Sequence, residues 1–275
     1  MKYDFKAELK RVKDYYKNDK LQKRFSALIL GETGAGKSRI LRTCPRPIHV
    51  DSFDPGGTKV YKDLIDSNDI IADTSFENEN PYEPTVFTEW KRAIDTRLSV
   101  GYFNHFATYC LDSATTWADA AMNDQLKSVN AAGQAPKWNR DYTPQKTIMI
   151  NYIKKLMNLP CNFILTGHLN MIEEVIGQTK EGSDIKKVKY RFFTTGKGMV
   201  TIPLQFDEIY VLFSEEGSQG LVRKMLIEAQ GTYIARSRLK GEGRLNNVEK
   251  PDIREILKKA GMDWQDKPRL EVQFV

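Results

Sequence analysis

An α/β fold, with a mainly parallel central sheet flanked by helices and a β-rich C-terminal part, is what this sequence predicts. Three observations carry the expectation. The run Phe25-Ser26-Ala27-Leu28-Ile29-Leu30 has strand length and leads straight into Gly31-Glu32-Thr33-Gly34-Ala35-Gly36-Lys37-Ser38, which fits G-x-x-x-x-G-K-S/T at every fixed position. Two later apolar runs, Phe106 to Leu111 and Cys161 to Leu165, end in Asp112-Ser113 and in Thr166-Gly167-His168. Largely apolar runs of this length mark strands buried on both faces, as in a parallel sheet covered by helices.

The chemistry of the glycine-rich stretch follows from its residue types. Its glycines let successive backbone N–H groups turn toward one anion, and Arg39-Ile40-Leu41-Arg42 can continue a short helix behind them. Gly31 through Arg39 are therefore the expected phosphate-binding set. Lys37 can reach terminal phosphates as a point charge, and the Ser38 hydroxyl suits a magnesium ion that keeps most of its waters.

The bulk numbers set outer bounds. A chain of 275 residues, 40% hydrophobic and 28% charged, can bury a substantial core. No stretch approaches the length of a spanning helix, and the N-terminus lacks the apolar core of a signal peptide, so a cytoplasmic protein without a membrane segment is expected. Cys44, Cys110 and Cys161 are odd in number and widely spaced, which favours buried, reduced thiols. Net charge is +6, and residues 1–24 hold nine lysines and arginines against four acids. That excess permits nucleic-acid binding without establishing it.

In chain order, residues 2–18 place Phe5, Leu9, Val12 and Tyr16 at helical spacing. This is an amphipathic helix expected to dock on the body, with a partner-gripping arm as the alternative. Pro47-Ile48-His49-Val50-Asp51 is a short apolar run ending in acid, followed by the turn Ser52 to Gly57. Ligands of parallel sheets sit outside the carboxyl ends of strands, so Asp51 and Asp54 both compete for water activation or magnesium contact. Residues 58–84 read as a connection with one short helix, and Thr85 to Ser99 as a packing helix. Asp112, at the end of a strand, is the expected acid on the magnesium side, across from Ser38.

Residues 114–127 read as a helix. Ser128 to Asp141 reads as a loop in which Lys137, Trp138 and Arg140 either offer a base a stacking platform beside a phosphate or leave the indole packed beneath the loop. Thr143-Pro144 marks the start of the next helix. His168 ends a strand where a group sensing the terminal phosphate would stand. From Glu173 to Gly198, alternation of Val188, Tyr190 and Phe192 with Lys187, Lys189 and Arg191 predicts a hairpin. With Lys186, its cations make a candidate DNA-facing surface. Strands are expected at Ile209 to Phe213, Leu221 to Ile227 and Tyr233 to Gly241, a helix over 252–260, and an edge strand over 270–275. Arg236 and Arg238, at alternate positions, share a face and could offset charge on a phosphate held by an adjacent subunit.

This succession of features resembles the phage-encoded AAA-type nucleotide-binding proteins with a RecA-like core, a group in which some members act as single-strand annealing proteins in recombination. The resemblance covers about residues 20–260. It divides the chain into a basic helical segment (1–22), a RecA-like P-loop ATPase domain (23–260) and a tail or edge strand (261–275). It implies ATP and Mg2+ as ligands, with Lys37 and Ser38 on phosphate and metal, Asp112 as metal-side acid, and Arg236 and Arg238 as a finger pair across a subunit interface. It implies a homo-oligomer that binds single-stranded DNA in the host cytoplasm. RecA-like enzymes usually carry a glutamate just past the second strand, where this chain has only Asp51 and Asp54, so slow or DNA-dependent hydrolysis is expected. A protein-directed assembly or packaging ATPase and a nucleotide-binding structural module are the competing readings.

Overall fold

β1 (Ser26–Gly31) is buried along almost its whole length, and its alternation sets up two layers. Leu28 and Leu30 face one core with Trp90, Trp117 and Ile153, while Ala27 and Ile29 face the other with Ile40, Leu64 and Leu257. A period of two on one strand thus demands helices on both sides of the sheet. The computed structural model describes residues 4–19, 24–178, 183–192, 201–218 and 220–270, apart from the side chains of Lys187 and Glu242.

The remaining strands are β2 (Ile48–Ser52), β3 (Ile70–Asp73), β4 (Thr108–Asp112), β5 (Asn162–Gln178), β6 (Asp184–Phe192), β7 (Glu208–Gly217), β8 (Gly220–Leu226) and β9 (Val248–Glu249). They lie in the order β3-β2-β4-β5-β1-β7-β8-β9, with β6 paired to β5. Every pairing from β3 across to β7 is parallel, and β7 to β9 pair antiparallel. The predicted mainly parallel α/β sheet with a β-rich C-terminal part is therefore what forms. Among the described residues, the α-helices are α1 (Phe5–Asn18), α2 (Lys37–Leu41), α3 (Lys62–Asp66), α4 (Val86–Ser99), α5 (Ala114–Ser128), α6 (Trp138–Leu156) and α7 (Ile253–Ala260).

Several elements differ from expectation, each for a local reason. The connection 58–84 contains β3, an edge strand of four residues too short to announce itself. α6 starts at Trp138 rather than after Thr143, and Pro144 lies inside it. The carbonyl of Arg140, which proline has no N–H to satisfy, instead accepts from Gln125 Nε2 at 3.4 Å. Tyr233 to Gly241 takes part in two isolated bridges, Ile209 to Arg236 and Gln230 to Tyr233, instead of forming a strand. The buried Glu208 carboxylate takes the N–H groups of Arg238 and Leu239, which a ladder would need.

The N-terminal helix forms, capped by Asp4, but it does not dock: none of its residues is buried, and Phe5, Leu9, Val12 and Tyr16 stay exposed. The expected edge strand over 270–275 lies outside the described residues except for Leu270, which is not in a strand. All three cysteines are free and buried.

Candidate active site

The parallel strands carry their chemistry at one end. β1 stops at Gly31, and Gly34 (φ 83°) and Gly36 (φ 100°) take left-handed conformations that side chains resist. Lys37, the first residue of α2, is buried and folds back to donate to the carbonyls of Gly31 at 3.1 Å and Glu32 at 3.0 Å. Burial lowers its pKa, and the carboxylates of Asp112 and Asp54 offset part of that.

Asp112 closes β4 and is 2% exposed. It accepts from the Thr166 hydroxyl on β5 and from the Tyr61 hydroxyl at 3.1 Å, with Ser38 also in hydrogen-bonding reach. Burial raises its pKa, against the pull of those donors. One buried acid beside one hydroxyl is a donor set that fits a hydrated magnesium ion, which binds through few protein oxygens.

Asp54 lies just past β2, where Ser113 Oγ at 2.9 Å and Thr116 Oγ1 at 2.6 Å both donate to its Oδ1. His168 is placed by β5, with Nδ1 and its backbone N–H each 3.3 Å from Thr115 Oγ1. Burial and the nearby Lys37 charge lower the His168 pKa. A cleft of about 390 Å³ brings together Gly34, Lys37, Ser38, Asp54, His168 and Arg223. Glu32, Thr33, Gly34 and Ala35 also border a neighbouring recess beside Tyr233.

Asp51 is not part of this group. Its alternation on β2 turns it toward α4, where Trp90 Nε1 donates at 2.9 Å, Tyr109 OH at 2.7 Å and Arg97 at 2.8 Å, with His49 Nε2 at 2.9 Å. Burial alone would raise its pKa, but His49, Arg97 and Tyr109 together outweigh it, and the carboxyl titrates below the usual range. With four polar partners and no exposure, Asp51 has nothing left for water activation.

Arg236 and Arg238 also stand apart from the cleft. They adjoin the start of β7, while the phosphate loop follows the end of the parallel β1. The Arg236 guanidinium donates to the Phe206 carbonyl, and Arg238 pairs with Asp207 at 2.6 Å. Arg238 also borders a cavity of about 460 Å³ with Arg24 and Ser26. Within one chain, neither arginine meets the loop.

The candidate nucleic-acid residues fall in two places. Lys137, Trp138 and Arg140 begin α6 rather than a loop, and Trp138 is 68% exposed, tilted against Tyr142 instead of packed beneath a loop. Arg140 is paired with the buried Asp141. On the β5–β6 hairpin, Lys186 pairs with Glu173 at 2.8 Å and Lys189 with Glu174, while Arg191 donates to the Tyr190 carbonyl. Lys187 lies opposite Glu174 by register, and its side chain lies outside the described set.

Sequence reasoning overlooked Arg223 and four further contributors. Tyr61, Thr115 and Thr116 carry no motif, because their roles depend on which strands are neighbours. Glu77 accepts from Ser52 Oγ at 2.7 Å and from the Gly56 N–H at 2.8 Å, tying down the turn that presents Asp54.

A family profile described as an AAA domain matches residues 23–239. The chain belongs to this AAA-domain family. Among solved structures, the AAA domain is similar to a KaiC-like protein from Pyrococcus horikoshii, at 12% identity and a TM-score of 0.41, covering 75% of this chain and 79% of that one. It is also similar to the flagellar accessory protein FlaH from Methanocaldococcus jannaschii, at 12% identity and a TM-score of 0.39, with coverage of 75% and 79%. No curated protein matches it in sequence. Among the described residues, no helix of the AAA domain is long and apolar enough to cross a membrane.

Proposed function

We propose that this AAA domain binds and hydrolyses ATP with magnesium, and that it works on single-stranded DNA as a RecA-like homo-oligomer in phage recombination or replication. The observation that carries the nucleotide part is the convergence of Lys37, Ser38, Asp54 and His168 on one cleft at the phosphate loop, with Asp112 in reach of Ser38. Lys37 exchanges its two loop carbonyls for phosphate oxygens. Ser38 and Asp112 would hold magnesium, which neutralises phosphate charge when bound. Asp54, with one carboxylate oxygen fixed by Ser113 and Thr116, orients the attacking water with the other. His168, kept neutral by its lowered pKa, donates to the terminal phosphate or to that water. Arg236 and Arg238 act, on this reading, on the nucleotide of a neighbouring subunit.

The DNA part is supported by the exposed Trp138 and by the hairpin that continues β5 directly beyond His168. A second reading, a protein-directed ATPase, is favoured by the pairing of Lys186 and Lys189 with glutamates, which neutralises much of the hairpin's charge. Steady-state ATP hydrolysis with and without single-stranded DNA, using Lys37→Ala as the blank, separates the two. Stimulation by DNA that vanishes in the variant supports the first. A rate indifferent to DNA, with no DNA binding at low salt, leaves the protein-directed reading.

A further inference from the structure

The cleft contains a cation that neither the motif nor the family resemblance singles out. Arg223 stands on β8, opposite Ser214 of β7, and β7 lies beside β1. That antiparallel turn-back carries its side chain over the phosphate loop of the same chain. A β-carbon added to Gly36 would lie 3.0 Å from Arg223 Cδ and 3.1 Å from its Nε. Arg223 thus forms a wall shared by two spaces, the cleft with Lys37, Asp54 and His168 and a recess of about 460 Å³ with Arg39, Thr43 and Asp252.

The arginine's bonding is unfinished. Its Nε is buried with no hydrogen-bond partner among the described residues. Two other arginines of this region are committed, Arg42 to Asp63 and the Val60 carbonyl and Arg254 to Asp266 and the Cys44 carbonyl, while Arg39 borders the same two spaces as Arg223. A guanidinium held against a loop whose backbone is shaped for an anion, without an acceptor of its own, is poised for an oxyanion ligand.

We propose that Arg223 is a nucleotide-binding residue that contacts the phosphates in cis. The inference deepens the nucleotide reading above and rests on it. It also changes the charge balance of a single subunit: Lys37 and Arg223 meet the phosphates together, before any neighbour contributes.

The test is calorimetric binding of ATP with magnesium to the wild type, Arg223→Gln, Arg223→Lys and Lys37→Ala. Arg223→Gln is expected to weaken ATP by about tenfold to a hundredfold, the range for a hydrogen bond to a charged group. Arg223→Lys, which keeps the charge and loses the planar fork, is expected to fall between it and the wild type. The melting temperature without nucleotide should stay unchanged, since Nε has no partner to lose. ATP binding by Arg223→Gln within about twofold of wild type, with Lys37→Ala impaired, overturns the role of Arg223 alone. Full binding by Lys37→Ala overturns the nucleotide reading beneath it. Mixing Lys37→Ala with Arg223→Gln protein should restore no hydrolysis, and restoration would show that the arginine acts on a neighbour instead.

Discussion

Thr166 on β5 donates its hydroxyl to Asp112 on β4, so the buried acid behind the phosphate loop is held by the strand that also presents His168. The sheet order makes this contact, because β5 lies between β4 and the phosphate-loop strand β1. The raised pKa of Asp112 has a definite sign for stability. An acid with a raised folded pKa contributes stability below its unfolded pKa and loses it as pH rises through the folded value. Near neutral pH its charge therefore costs the nucleotide-free fold. Asp112→Asn is expected to melt at the same temperature or higher, while magnesium-dependent hydrolysis falls by about 10²–10³-fold. A variant that melts lower with its turnover intact would reverse this assignment.

His168 gives the opposite pH signature. Its folded pKa lies below the ordinary 6.5, so its contribution is fully present above that value and is lost as pH falls through the folded one. The melting-temperature advantage of the wild type over His168→Asn should shrink between about pH 7.5 and about pH 5. Parallel melting curves across that window would mean that the imidazole is not held neutral by its surroundings.

Asp51 is a buried structural carboxylate, set apart from Asp54, the carboxylate proposed to orient water. Asp51→Ala leaves Trp90 Nε1, Tyr109 OH and Arg97 short of an acceptor in a buried setting. The loss is expected to be about 3–5 kcal/mol in urea unfolding, with ATP affinity of the folded protein unchanged. A stable variant with lost turnover would return Asp51 to the chemistry.

Gly36 and Gly34 share a left-handed backbone but not a neighbourhood. Alanine at either costs about 1–2 kcal/mol of backbone strain. At Gly34 nothing lies within 4 Å of the new methyl, whereas at Gly36 it meets Arg223. Gly36→Ala should therefore weaken ATP more than Gly34→Ala, measured as two dissociation constants on folded protein.

What was legible in the sequence was what is local. The loop, Asp112 and His168 each follow an apolar run, so strand and chemistry are read together. Asp51 and Asp54 looked equivalent because both stand near one strand end. Only the side-chain alternation of β2, fixed once β4 and α4 pack against it, sends Asp51 away from the cleft. Arg223 carries no local signal at all, being one of two adjacent cations, and the β7–β8 register alone brings it to Gly36. The start of α6 was hidden by Pro144, whose missing N–H is compensated from α5 by Gln125. The undocked α1 shows that an amphipathic pattern fixes a helix without naming what covers it.

The burial of Cys44, Cys110 and Cys161 makes the folded surface inert to thiol reagents, since the chain has no other cysteine. A single exposed thiol, introduced as Met171→Cys on β5, then accepts one fluorophore at a known address, three positions after His168. Light emitted from that address would report, in real time and on one molecule, whether filling the cleft alters the surroundings of the hairpin.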